Sequence, residues 1–226
     1  MKFIMSLILP KERDPGILHS LMISVSAGIL LIIFRVIYSG EPDYLFLIWN
    51  LFLAYIPLFI SRYIELKHSI QDKTGLLVIF LMFWLLFYPN APYIITDFFH
   101  LFERPEAPLW LDLIIITIFA WNGLIAGFLS LHSMQKIIST KTGTKASWMF
   151  VILILILASF GVYIGRYLRY NSWDVFFMPF YLFRDLAFIA IHPGHNKDAY
   201  GMTIGLSMFL ITSYFSFYRL ILFQKK

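Results

Sequence analysis

The chain has 226 residues, of which 60% are hydrophobic, 19% aromatic and only 14% charged, with no cysteine. A soluble domain carries about 25% charged residues, so this composition cannot cover a water-facing surface and reads as a membrane protein. It also excludes disorder, collagen, coiled coil and a disulfide framework, and the net charge of +5 is informative through its distribution rather than as a sign of nucleic acid.

A spanning helix needs about 20 mostly apolar residues. Residues 1–10 are apolar but too short, and no small-residue cleavage site follows, so they are expected to form an interfacial stretch ahead of a signal-anchor helix. The spans expected after it are 17–38, 44–60, 74–88, 109–131, 148–168 and 200–223. The fold class is therefore all-α: a polytopic integral membrane helical bundle in one domain, 1–226, with six transmembrane helices (five and seven being the neighbouring counts). Gly123–Gly127, Gly161–Gly165 and Gly201–Gly205 are each Gly-x-x-x-Gly, the spacing that lets helix backbones approach closely in lipid, within a chain or between subunits.

Six spans put both termini on one side. Twelve cations and four acids then share the termini's face, and six cations and nine acids share the other, giving +8 against −3, consistent with the total of +5. The positive-inside rule places the +8 face, and both termini, in the cytoplasm. Nine of the twelve inner cations are Lys, whereas five of the six outer ones are Arg, whose planar fork suits bidentate binding of carboxylate or phosphate. Snorkelling of Arg at helix ends is the plainer explanation.

Two segments fit neither a span nor a solvated loop. Residues 89–108, PNAPYIITDFFHLFERPEAP, are apolar yet carry Asp97, His100, Glu103, Arg104 and Glu106. Pro89 and Pro92 end the preceding helix, Asn90 is expected to cap the next, and an α-helix over 93–102 would put Tyr93, Asp97 and His100 on one face. Residues 171–195 open with NSWD and carry Pro179, Arg184 and Asp185 inside an apolar run. Both are expected to be re-entrant or interfacial segments on the outer face, in preference to a seventh span.

Between them the fifth span ends in GVYIGRYLRYNSWD. Helical spacing would align Tyr163, Arg166 and Tyr170, with Arg169 three residues beyond Arg166, forming an anion clamp that Asp174 orients or neutralises. Asp97 and His100 suit an acid–base couple, two ligands of a metal, or a structural salt-bridge cluster. Asn50, near the start of the second span, and Asn122, deeper in the fourth, suit interhelical hydrogen bonds. No Walker loop, Gly-x-Ser-x-Gly elbow, His-Glu-x-x-His or Gly-x-Gly-x-x-Gly after a strand occurs, which argues against nucleotide-driven transport, elbow-type serine hydrolysis and zincin chemistry.

The blocks FYPNAPYIITDFFHL (87–101), GRYLRYNSWD (165–174) and WNLFLAYIPL (49–58) resemble those of a bacterial multi-pass membrane family, family 1361 among the domains of unknown function. The resemblance implies a fold and a bacterial inner membrane but no activity. It marks Trp49, Asn50, Pro89, Asn90, Pro92, Tyr93, Asp97, His100, Arg166, Arg169, Asn171, Trp173 and Asp174. The candidate site is accordingly Asp97, His100 and Asp174 for chemistry, with Arg166, Arg169, Asn171, Trp173, Asn90, Tyr93 and Asn50 for binding. No metal or cofactor is assigned. The expected partners are membrane lipids, among them an anionic lipid or lipid-linked intermediate, and a second copy or membrane partner through the Gly-x-x-x-Gly faces, but not nucleic acid. Three functions stand open: handling of such a lipid, transport of a small solute, and a non-catalytic scaffold.

Overall fold

The structure, a computed structural model, describes residues 15–102 and 106–223. The 1–10 stretch, Glu103 and Arg104 lie outside the described residues. The protein is an all-α polytopic membrane protein, without strands among the described residues. Among the described residues, six helices are long and apolar enough to cross a membrane: His19–Ser39, Asp43–Leu66, Thr74–Phe102, Leu109–Thr142, Thr144–Tyr167 and Lys197–Ile221. The chain divides into two compact units, residues 1–137 and 138–226.

The first unit contains α1 (Pro15–Ser39), a 3-10 turn (Asp43–Leu45), α2 (Phe46–Leu66), α3 (His68–Asp72), α4 (Thr74–Phe87), α5 (Asn90–Tyr93), a 3-10 segment (Ile94–Phe102) and most of α6 (Leu109–Thr142). Its core joins Ile32, Leu47, Leu51, Ala91, Ile94 and Ile115, all buried. A Cβ added at Gly123 would lie 2.8 Å from the carbonyl oxygen of Ala91, and one at Gly127 would lie 2.8 Å from the Ala91 Cβ. The Gly-x-x-x-Gly of α6 is thus filled from within the chain by α5. Pro57 lies inside the continuous α2, and the Ser130 hydroxyl of α6 donates to the Pro57 carbonyl oxygen at 2.8 Å, an interhelical bond.

Hydropathy places the end of α6 near 131, yet the helix continues to Thr142. The start of the extension is polar but enclosed: His132, Ser133 and Gln135 are buried, and Ser133 donates to Glu65 of α2 at 3.0 Å, while Thr140–Thr142 are exposed. Gly143, at φ 87°, adopts the left-handed conformation that turns the chain into the next helix, a backbone that a side chain would strain.

The second unit contains α7 (Thr144–Tyr167), α8 (Asp174–Phe177), α9 (Pro179–Ile191) and α10 (Lys197–Phe223). The helices α7 and α10 pack along their length. Trp148 meets the rings of Tyr214 and Tyr218 near one end, and Tyr163 packs with Ile189 and Ala199 near the other. Pro179 stands at the first turn of α9, where its missing N–H costs nothing. The 13 residues of α9 rise about 20 Å, short of the roughly 30 Å hydrocarbon core, and α9 is not among the six helices long and apolar enough to cross a membrane.

Candidate functional site

In the first unit the polar residues gather where α1 ends and where α2 and α6 begin. Arg35 and Asp112 are both fully buried, and Nε donates to Oδ1 at 2.6 Å while Nη2 donates to Oδ2 at 3.3 Å. Asp43 Oδ2 stands 3.7 Å from Arg35 Nη1, and the guanidinium carbon sits 4.2 Å from the centre of the Tyr44 ring. Sequence reasoning missed this centre. Its signal was two opposite charges, each inside an otherwise apolar span, which is a pairing hypothesis in itself.

Asn50 of α2 donates through Nδ2 to Asp97 Oδ2 at 3.0 Å, joining two of the expected site residues. Asp97 is 1% exposed. The segment that carries it differs from the expected α-helix. Only Asn90–Tyr93 is α-helical, and Ile94–Phe102 winds as a 3-10 helix. At three residues per turn Asp97 and His100 remain on one face with Ile94, but Tyr93 turns about 120° away. His100 packs edge-on against the Phe46 ring, 5.2 Å between centres. Asn90 is the first residue of α5, with Pro89 at the capping position before it. Its Nδ2 donates backwards to the Phe87 carbonyl oxygen at 2.8 Å, satisfying an orphan acceptor at the end of α4. Tyr93 is half-buried, and its carbonyl oxygen accepts from the Thr96 hydroxyl at 2.7 Å.

Asn122 meets the expectation made of it. It donates to Ser24 Oγ of α1 at 2.8 Å. At the other end of α2, Glu65 accepts from Arg62 at 2.8 Å, from Ser133 at 3.0 Å and from Lys136 at 3.2 Å. Nearby, Trp84 Nε1 donates to Ser130 Oγ at 2.7 Å. No three His, Asp or Glu side chains converge among the described residues in a way that could hold a metal ion.

In the second unit α7 stops at Tyr167. Arg169 follows with φ 61°, the only positive φ outside glycine among the described residues, and the Tyr170 N–H reaches back to the Ile164 carbonyl oxygen at 3.4 Å. The helical spacing expected for Tyr163, Arg166, Arg169 and Tyr170 therefore fails after Tyr167, because the chain reverses at Arg169. Arg166 is half-buried on the last turn and Arg169 is exposed beyond it. Asp174 is 9% exposed, and its Oδ2 accepts from the Asn171 backbone N–H at 2.6 Å and from Asn171 Nδ2 at 3.4 Å, so it ties the turn before α8. Trp173 is half-buried beside it.

The turn is also fastened to α9. The Tyr170 hydroxyl donates to Asp185 Oδ2 at 2.9 Å, and Arg184 Nη2 and Nε donate to Asp185 Oδ1 at 2.9 and 3.1 Å. The bonds from Tyr170 and Arg184 hold the Asp185 carboxyl below its usual range. Desolvation, and then the hydrogen bond to Asp185, push the Tyr170 phenol up. This pair lies 15 residues apart across an irregular turn, and no helical spacing announces it.

Six apolar helices, buried ion pairs and polar turns at their ends define an integral membrane protein of the polytopic all-α class. The chain belongs to the family described as "Protein of unknown function (DUF1361)", whose model matches residues 49–213, well over half of the 226. No curated protein and no solved structure matches it.

Proposed function

We propose that this protein binds an anionic lipid or lipid-linked phosphate at the membrane surface, through the Arg166–Asp174 turn of its second unit. One observation carries the reading: Arg169 occupies a left-handed backbone position that glycine takes without strain, and its side chain is exposed. A non-glycine residue there costs about 1–2 kcal/mol, and such strain collects where the side chain is needed. Arg166 on the last turn of α7 supplies a second guanidinium, and Asn171, Trp173 and Asp174 shape the turn around them.

On this reading the turn faces the outside of a bacterial inner membrane, the termini are cytoplasmic, and α9 lies at the interface. Native mass spectrometry of the gently purified protein tests it. Wild type should retain an anionic lipid that Arg166→Ala/Arg169→Ala does not, and equal retention by both would overturn the assignment. In the cysteine-free chain, Ser172→Cys should react with an impermeant maleimide on intact cells and Ser139→Cys should not.

A second reading, a partner subunit, rests on α10. A Cβ added at Gly201 or Gly205 meets nothing within 4 Å, unlike those at Gly123 and Gly127. An open small-residue face suits a second membrane helix. Gly201→Leu should weaken any assembly seen on native gels while leaving the fold intact.

A further inference from the structure

The second unit holds three arginines and two aspartates around one turn, and the two signs are treated differently. Both carboxylates are spent on internal bonds, Asp174 on Asn171 and Asp185 on Tyr170 and Arg184. Asp174 is 9% exposed. Two of the guanidiniums also reach solvent. Arg169 is exposed, and the Arg184 side chain is 61% exposed. Arg184 meets Asp185 side-on through Nε and Nη2, which leaves Nη1 and the outer N–H of Nη2 free to take an acceptor. The Arg184 guanidinium carbon also lies 5.4 Å from the centre of the Tyr181 ring, which limits where it can swing. The Tyr170–Asp185 bond ties the turn that carries Arg169 to the helix that carries Arg184.

The surroundings select the ligand's origin. Phe176, Phe177, Phe180 and Phe183 are 62–78% exposed on the same short stretch. Aromatic side chains exposed on the short α8 and the 13-residue α9 belong at the boundary between headgroups and acyl chains, not in bulk water.

We propose that Arg184 is a further cation of this site, that Tyr170 and Asp185 are the positioning residues that aim it, and that the ligand is the phosphate of an anionic membrane lipid whose chains run beside the exposed phenylalanines. This rests on the lipid-binding reading above and adds the residues and the ligand class to it.

Nanodiscs of phosphatidylcholine with titrated phosphatidylglycerol test the proposal, with bound lipid counted by native mass spectrometry. Arg184→Ala should lose about tenfold or more in phosphatidylglycerol affinity, the effect of removing a charge-assisted pair, with phosphatidylcholine retention unchanged. Arg184→Lys should recover part of the loss, since it keeps the charge without the fork. Tyr170→Phe should weaken phosphatidylglycerol binding several-fold while the protein stays folded. Arg184→Ala and Arg184→Lys binding like wild type, while Arg166→Ala/Arg169→Ala fails to bind, would overturn the role of Arg184 and leave the broader reading standing. Unchanged binding in all of these variants would remove both. Should millimolar inorganic phosphate displace the lipid from wild type, the site takes a soluble anion and the lipid assignment is wrong. Should Arg184→Ala fail to fold, Arg184→Gln serves in its place, keeping hydrogen-bond donors and most of the stem.

Discussion

Asn50 and Asp97 are 47 residues apart and share one hydrogen bond, Nδ2 to Oδ2 at 3.0 Å, that ties the first turns of α2 to the 3-10 segment after α5. A carboxylate that is 1% exposed needs such donors, because leaving it short of partners costs the desolvation of a charged group. Asn50→Ala should therefore cost about 1–3 kcal/mol in thermal or chemical unfolding in mild detergent. Asn50→Asp should cost more, since two carboxylates would then face each other. Asn50→Asp/Asp97→Asn should recover most of that loss by restoring one amide against one carboxylate. A double variant no better than Asn50→Asp alone would show that the bond matters little to the fold.

Arg35 and Asp112 make a stronger test of buried charge. Both side chains are enclosed, and Arg35 is also held near Asp43. Removing one member of a buried pair strands its partner, with a penalty of about 3–5 kcal/mol, whereas replacing both with apolar residues of similar volume is often neutral. Asp112→Ala should unfold at markedly lower temperature than wild type, and Arg35→Met/Asp112→Leu should return most of the difference. If the lipid site in the second unit is independent of this pair, the folded double variant will bind phosphatidylglycerol as wild type does.

Much of the architecture is visible in composition and hydropathy, because crossing a bilayer demands about 20 apolar residues and few other constraints produce them. What hydropathy cannot show is pairing. The end of α6 looks like a loop because Ser133, Gln135 and Lys136 are polar. Glu65 of α2, 68 positions before Ser133 and 71 before Lys136, accepts a hydrogen bond from each. The 3-10 winding of Ile94–Phe102 escapes notice for another reason. Its apolar residues fit a period of 3.0 about as well as 3.6 over nine positions, and Pro89 and Pro92 disrupt the α pattern just before it. At the candidate site the residue types were legible and the partners were not. Asp174 holds the Asn171 amide, a bond that no side-chain pattern announces, and Asp185, which the sequence motif did not include, meets Arg184 beside it in α9.

The Tyr170–Asp185 latch predicts a pH response with a definite sign. The folded pKa of Asp185 lies below its unfolded value, through the bonds from Tyr170 and Arg184. Its stabilising effect is therefore complete above the usual carboxylate range, near about 3.9, and is lost as pH falls through the lower folded value. The phenol of Tyr170 is shifted upward, so its contribution holds below about 10 and fades as pH rises beyond that. Amide exchange in Pro179–Ile191, corrected for intrinsic rates, should be flat between these limits and should rise outside them. Tyr170→Phe should abolish the alkaline rise and weaken docking of α9 at neutral pH. An alkaline rise that persists in Tyr170→Phe would assign it to another group.

Arg169 offers the clearest separation of stability from function. With φ at 61°, an arginine bears about 1–2 kcal/mol of strain that glycine escapes, partly offset by the roughly 0.5–1 kcal/mol that glycine's freedom in the unfolded chain costs. Arg169→Gly should therefore raise the unfolding free energy by about 0.5–1 kcal/mol while lowering affinity for phosphatidylglycerol by about tenfold, the loss of one exposed guanidinium from a phosphate site. Arg169→Ala separates the two effects further: it removes the charge but keeps the strained Cβ, so it should lose lipid without gaining stability. A more stable Arg169→Gly that still binds lipid like wild type would make the arginine a tolerated helix stop, and the lipid-binding reading would lose the observation it rests on.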